Sequence, residues 1–327
     1  MDGIINFFGV ILTPIKWVIE AILVGFHYFW TFVGLDPAAG VTWVFSIVSL
    51  VLVVRAALIP IFVRQIKSQR RMMEVAPQLK KIQDKYKGKK DQFSREAMSR
   101  ETMALYKKTG TNPLSSCLPL LIQMPIFFGL FSTLNNAQHQ NPNGSHNPGV
   151  GLLSPELSTS FGTSSLFDIA PLHLAISTAN GNVAVIVIAA VMVVVMTSSQ
   201  FITQLQIMSK NQSPETKASP MYRQQRILLY ILPLVFAFSG FTFAIGVMFY
   251  WLASNLWTMG QQFLVIRNMP TPGSEAALAR EARLARKRQS QPLTITEMTE
   301  GTDVVEEPKR APQRQQPVNK NRAKKKR

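Results

Sequence analysis

Five stretches of this 327-residue chain are apolar for long enough to cross a bilayer as helix. A hydrocarbon core about 30 Å thick needs about 20 such residues. Residues 43–63 are interrupted only by Arg55, residues 114–134 mainly by Gln123, and residues 183–201 run in Val, Ile, Ala and Met as far as Gln200. Residues 227–243 and 244–266 are parted only by a tight turn around 240–246, which predicts a helical hairpin. A further segment, 4–33, is long enough to cross, but Lys16 and Glu20 stand one helical turn apart in its middle. Trp17, Tyr28 and Trp30 suit a helix lying among headgroups, so interfacial and spanning placements both stay open.

The polar segments have patterns of their own. Met72, Val75, Leu79, Ile82 and Tyr86 recur at three- and four-residue steps, Gly88 falls in a lysine-rich turn, and Phe93, Ala97, Met98, Leu105 and Tyr106 resume the period. That spacing predicts an antiparallel, basic helical hairpin over 64–112. Residues 276–288 read as a short helix, whereas 289–327 are rich in Gln, Pro and charge and are expected to be disordered. The predicted fold class is an all-α polytopic membrane protein. An N-terminal helix (1–42) precedes a core of five transmembrane helices carrying the hairpin (43–266), and a basic tail (267–327) follows.

Charge fixes an expected orientation. The chain is 47% hydrophobic yet carries a formal charge of +17. Residues 64–108 hold 14 Lys/Arg against 5 Asp/Glu, and residues 267–327 hold 15 against 7, so the remainder is neutral. Basic loops stay in the cytoplasm, which places the hairpin, the 210–226 connection and the tail there. The 137–182 loop has no Lys or Arg and is expected outside. These assignments alternate without conflict, as a multi-pass membrane protein requires.

Several chemistries are not expected. The single cysteine, Cys117, lies in an apolar run and cannot form an intramolecular disulfide or a thiolate metal cluster. His27, His139, His146 and His173 are scattered without metal-ligand spacing or a nucleophile–base pattern, so neither an enzyme nor a cofactor is expected. No GxxxxGK[ST] loop is present for nucleotide. Asp2 and the absence of a basic start argue against a cleavable signal peptide, and no cysteine near the start suggests a lipid anchor.

The polar residues inside the spans then become the candidates. Arg55 sits near the middle of its span, where a charge costs about 2.5–3.5 kcal/mol on insertion-derived scales. Its neighbours one turn away, Val51, Leu52, Leu58 and Ile59, are apolar, and no Asp or Glu occurs in the other spans. The charge must meet water or uncharged polar groups, for which Gln123, Thr197, Gln200, Gln204, Ser254 and Asn255 are candidates. Snorkelling to the cytoplasmic interface is the alternative, although about ten residues separate Arg55 from it. A cation without an internal counter-ion suits an anionic visitor. Pro60, Pro119, Pro125 and Pro233 within the spans point to an irregular bundle.

At this point a family resemblance emerges. NPLSSCLPLLIQMPIFFGLF (112–131) resembles the signature of the YidC family of membrane protein insertases. VVRAALIPIFVRQIKSQRRM (53–72) is similar to its first core helix, PQLKKIQDKY (77–86) and MALYKKTGTNP (103–113) to its cytoplasmic hairpin, and GVMFYWLASNLWTMGQQ (246–262) to its last helix. The resemblance covers about residues 43–267. It implies a hydrophilic groove in the inner leaflet, open to the cytoplasm and to lipid, with Arg55 attracting the acidic or polar tail of a nascent membrane protein. It also implies that Trp251 is an aromatic residue touching the client, that Gln200 or Gln204 lines the groove, and that the Sec translocon is a partner. Val51 stands where relatives carry a hydroxyl. The large extracytoplasmic domain of some Gram-negative relatives has no counterpart, so the chain resembles the shorter Gram-positive type.

The expected function is therefore insertion of nascent membrane proteins, with lipids as partners and ribosome contact through the basic tail. A small-solute transporter is the alternative, but such proteins usually show matched halves and no internal repeat occurs here.

Overall fold

A computed structural model describes residues 2–89, 91–111, 118–138, 146–217 and 220–290. Helices dominate it. The N-terminal segment is one helix, α1 (Asp2–Phe32), followed after a short turn by the 46-residue α2 (Gly40–Lys85). Helix α3 (Gln92–Thr109) begins on Asp91, whose side chain accepts the backbone N–H of Ser94, and ends on Gly110 in the left-handed conformation. Then come α4 (Leu118–Gln138), α5 (Pro155–Thr163), α6 (Val183–Lys210), the single turn α7 (Pro214–Lys217), α8 (Pro220–Thr242), α9 (Ile245–Asn268) and α10 (Glu275–Ser290).

Two boundaries differ from the expectation. The span at 43–63 and the first arm of the hairpin are one unbroken helix, α2. The change at residue 64 is one of polarity, and neither Pro60 nor Pro77 ends the helix, because each removes only one backbone donor. Within the hairpin, α3 packs on α2, and Lys85 and Tyr86 both reach the Glu101 carboxylate. Of the residues in the hairpin's apolar pattern, Val75 is buried but Phe93 is 86% exposed. The second difference lies in the 137–182 loop, whose described part is folded. It holds α5, a two-stranded antiparallel ladder of β1 (Ser165–Leu166) and β2 (Ala170–Pro171), and a 3₁₀ turn at Ile176–Thr178.

This loop segment is bound into one apolar core with α1, α2, α4, α6 and α9. Phe161, Leu166 and Leu172 are buried beside Trp43, Leu134 and Met248. Polar ties fasten it: Trp43 donates its indole N–H to Ser160 at 3.3 Å, Gln138 donates to the Leu172 carbonyl, and the amides of Ile245 and Gly246 donate to Leu174 and Leu172. The first turn of α9, just after the 2-residue α8–α9 junction, thus serves also as a docking strip for the loop.

Among the described residues, Gly40–Ser68 and Val183–Lys210 are long and apolar enough to cross a membrane, and only 22% and 28% of their apolar windows are buried. A core helix of a soluble domain would be mostly covered. Here Val187, Val191, Val194 and Ile202 on α6 and Leu52, Val53 and Ile59 on α2 face outward, as lipid-facing side chains do. Phe238 on α8 and Phe263 and Leu264 on α9 are exposed in the same way.

Two compact units divide the chain near residue 281. The first holds the bundle. The described part of the second is the C-terminal half of α10, which bears out the predicted short helix at 276–288. Cys117, His139 and the tail from 291 lie outside the described residues.

Candidate functional site

Arg55 lies about fifteen residues into α2, some 22 Å from its start at about 1.5 Å per residue. Val51, Val54 and Leu58 recur with it at helical spacing, so all four side chains point into the bundle. A pocket forms there between four helices. Its wall is Ile19 from α1, Val51, Val54, Arg55 and Leu58 from α2, Gln123, Ile126 and Leu130 from α4, and Tyr250 from α9. The enclosed space is about 10 Å³, room for about one water.

Three polar groups, Arg55, Gln123 and Tyr250, share this wall, and each is hydrogen-bonded. The Arg55 guanidinium donates to the Ser254 hydroxyl. One turn earlier on α9, the Tyr250 hydroxyl accepts a hydrogen bond from the Gln123 side-chain amide at 3.4 Å. The guanidinium also lies 5.9 Å from the Phe62 ring centroid, within cation–π range. Among the described residues no carboxylate lines the pocket. The arginine is therefore held by a hydroxyl and an aromatic face, and its charge stays uncompensated. In a low-dielectric setting that arrangement favours an anion or the negative end of a dipole.

The candidates from sequence divide into those brought to this pocket and those placed elsewhere. Arg55 and Gln123 line it, and Ser254 bonds to it. Asn255 is the next residue on α9 and is buried, with its amide nitrogen unpaired among the described residues. Trp251 packs its ring against Phe127 at 5.7 Å and Phe243 at 5.4 Å, in an aromatic cluster on the α4–α9 face. Gln200 and Gln204 are half-buried on α6, whose covered face is instead Met192, Met196, Ser199 and Thr203 and which packs mainly on α9 and α8. Neither glutamine lines the Arg55 pocket.

Sequence reasoning missed Tyr250. The signal was available: a tyrosine inside an apolar segment must pair its hydroxyl, and Ser254 stands four residues on. Ile19, by contrast, carried no signal, because its place in the wall depends on how α1 docks. The described histidines serve packing. His27 Nε2–H donates to the Pro37 carbonyl while its ring stacks on Trp43, and His146 Nδ1–H donates to the Ala137 carbonyl. Burial holds the His173 imidazole below its usual pKa, opposed by a hydrogen bond with the Gly162 backbone.

The fold and this pocket define a class: a helical membrane protein with lipid-facing apolar helices around one cationic pocket. Comparison makes the class specific. The chain belongs to the 60Kd inner membrane protein family, whose model matches residues 34–272. It is similar to proteins named membrane protein insertase YidC. One from Tropheryma whipplei (strain Twist) is 41% identical over 99% of both chains. One from Streptomyces avermitilis is 43% identical over 85% of this chain and 63% of the relative, and one from Bifidobacterium longum is 34% identical over 99% and 97%.

Proposed function

We propose that this protein is a membrane protein insertase of the bacterial plasma membrane, which receives nascent membrane proteins in a hydrophilic inner-leaflet groove containing Arg55 and releases their apolar segments into lipid. The observation that carries the reading is the Arg55 charge inside an apolar bundle, held by Ser254 and the Phe62 ring with no carboxylate beside it among the described residues. Family membership supports it, since the relatives bear the insertase name.

In this reading α2, α4, α6, α8 and α9 are the five spans. At about 1.5 Å per residue, the 21 residues of α4 and the 24 of α9 reach across a core of about 30 Å. The hairpin of α2 and α3 and the tail are cytoplasmic, and the folded 146–182 segment lies on the outer side. The pocket then opens from the cytoplasmic half of the bundle, with Gln123, Asn255, Trp251 and either Gln200 or Gln204 along the client's path.

Insertion without nucleotide runs on transfer free energy. A twenty-residue leucine-like segment gains about 6–12 kcal/mol at roughly 0.3–0.6 per residue. Each charge carried past the midplane costs about 2.5–3.5 kcal/mol, so short outer tails with few charges are the suitable clients. Arg55 lowers the barrier for an acidic tail by supplying a counter-charge partway into the bilayer. Depleting the protein and surveying the membrane proteome by protease protection tests this reading. Clients with short acidic outer tails should lose protection first, and an unchanged survey would remove the proposal.

A further inference from the structure

Helix α1 carries a buried carboxylate that the proposed insertion route does not use. Glu20 is 1% exposed, and among the described residues no cation forms an ion pair with it. Its two oxygens instead accept backbone N–H groups from the 146–182 segment, Val150 at 2.9 Å and Gly151 at 2.7 Å. The Gly149 amide donates to the Leu153 carbonyl, which closes the receiving turn, and Leu153 is itself buried. Both glycines are required by close approach: a Cβ at Gly149 would collide with the Glu20 carboxylate, and one at Gly151 with the Trp17 ring. The GVGLL turn is thus shaped around this carboxylate. Burying an ionised carboxylate is costly unless charge-assisted hydrogen bonds satisfy it, and the turn supplies two.

The residue beside this clasp is Ile19, which forms part of the Arg55 pocket wall. A Cβ on Gly129 of α4 would meet Ile15 at 3.1 Å and Ile19 at 3.2 Å, so α1 and α4 also touch closely here. One residue of rotation, about 100°, would swing Ile19 away from the pocket. The clasp and the pocket wall therefore sit on one turn of one helix.

We propose that Glu20 is a positioning residue: its clasp on the 149–151 turn fixes the depth and rotation of α1, so that Ile19 closes the Arg55 pocket on that side. Its consequence for insertion rests on the insertase reading above, whereas the clasp itself does not. The test uses the full chain with Cys117→Ser and a Val54→Cys reporter in the pocket wall. Glu20→Gln and Gly151→Ala each attack the clasp, from opposite partners. Each should raise the rate of Val54→Cys labelling by a water-soluble maleimide about tenfold at unchanged protein level, as local opening of the wall predicts. In the chain without the reporter, both should lower insertion of an acidic-tailed client about tenfold, since a displaced supporting shell misplaces the groups it holds. A Glu20→Cys/Gly149→Cys pair, bridged by oxidation, replaces the clasp with a covalent tie. Bridging should restore insertion to within about twofold of the parent and reduction should abolish the recovery, because the tie fixes α1 without a carboxylate. Parent-level labelling in both Glu20→Gln and Gly151→Ala, or no recovery on bridging, overturns the proposal. If the parent itself inserts no client, the insertase reading fails, and the labelling still decides the clasp.

Discussion

The guanidinium of Arg55 bonds to the hydroxyl of Ser254, a residue 199 positions away in the chain, and so ties α2 to α9 across the pocket. Among the described residues the charge itself has no counter-ion, which separates two properties by substitution. Arg55→Lys keeps the positive charge but loses the planar donor fork. If charge is what the client senses, Lys should retain most insertion of an acidic-tailed client and Arg55→Ala should lose it. Ser254→Ala keeps the charge but removes the acceptor of a charged donor, worth about 1.5–3 kcal/mol, and should cost about tenfold or more. Insertion assays at matched protein levels distinguish these. Wild-type activity of Arg55→Ala would dismiss the charge.

Topology is tested at two exposed positions. Ser158 lies in the expected outer loop but is fully buried, so Thr159 beside it is the better probe. A cysteine at Thr159 should react with an impermeant thiol reagent outside intact cells, and one at Lys89 should react only after lysis. The reverse pattern would invert the bundle.

The hairpin offers a test of a cytoplasmic docking role. Replacing residues 83–90 by a flexible linker should slow insertion and leave topology unchanged. Rates equal to the parent would reduce the hairpin's charge to an orientation signal. Its internal tie also has a pH signature. Hydrogen bonds from Lys85 and Tyr86 hold the Glu101 carboxyl below its usual pKa. A depressed carboxylate favours the folded contact above its unfolded pKa and loses that support as pH falls through the folded value. Distance measurements between labels on α2 and α3 should therefore stay constant at neutral pH and lengthen only below the usual carboxylate range. The groups are exposed, so the effect should shrink with salt.

The tail carries 15 basic residues from 267 onward, and its last cluster, 320–327, lies more than fifty residues beyond the end of α9. Orientation depends on charges within about 15–20 residues of a span, so it leaves that cluster unexplained. Contact with ribosomal RNA phosphates fits a distal basic arm, and lipid contact fits Arg280–Arg288 of α10 better. Deleting residues 289–327 should reduce co-sedimentation with ribosomes, with a steep log-linear salt dependence in the intact protein. Insertion of a client supplied after translation should persist. Unchanged binding and salt slope in the truncated protein would exclude the arm.

The sequence by itself determined the helical elements and the identity of the central cation. Apolar runs and their breaks located α4, α6, α8 and α9, because helix length and hydropathy are local properties, but only α9 to within two residues at both ends. Helices α6 and α8 run nine and seven residues past the apolar runs into polar sequence. Arg55 stood out for the same reason, as a charge inside a run that could contain none of its counter-ions. What surrounds it was settled only by tertiary packing. Ile19, Leu130 and Tyr250 meet Arg55 from three other helices, and helical periodicity does not say which face of one helix meets which face of another. The same limit separated Gln123, which reaches the pocket, from Gln200 and Gln204, which occupy equally apolar surroundings on a helix that packs elsewhere. Glu20 was read as an interruption in an apolar segment. Its partners are two backbone amides about 130 residues away, and backbone donors carry no mark in the sequence beyond Gly149, which lets the carboxylate approach.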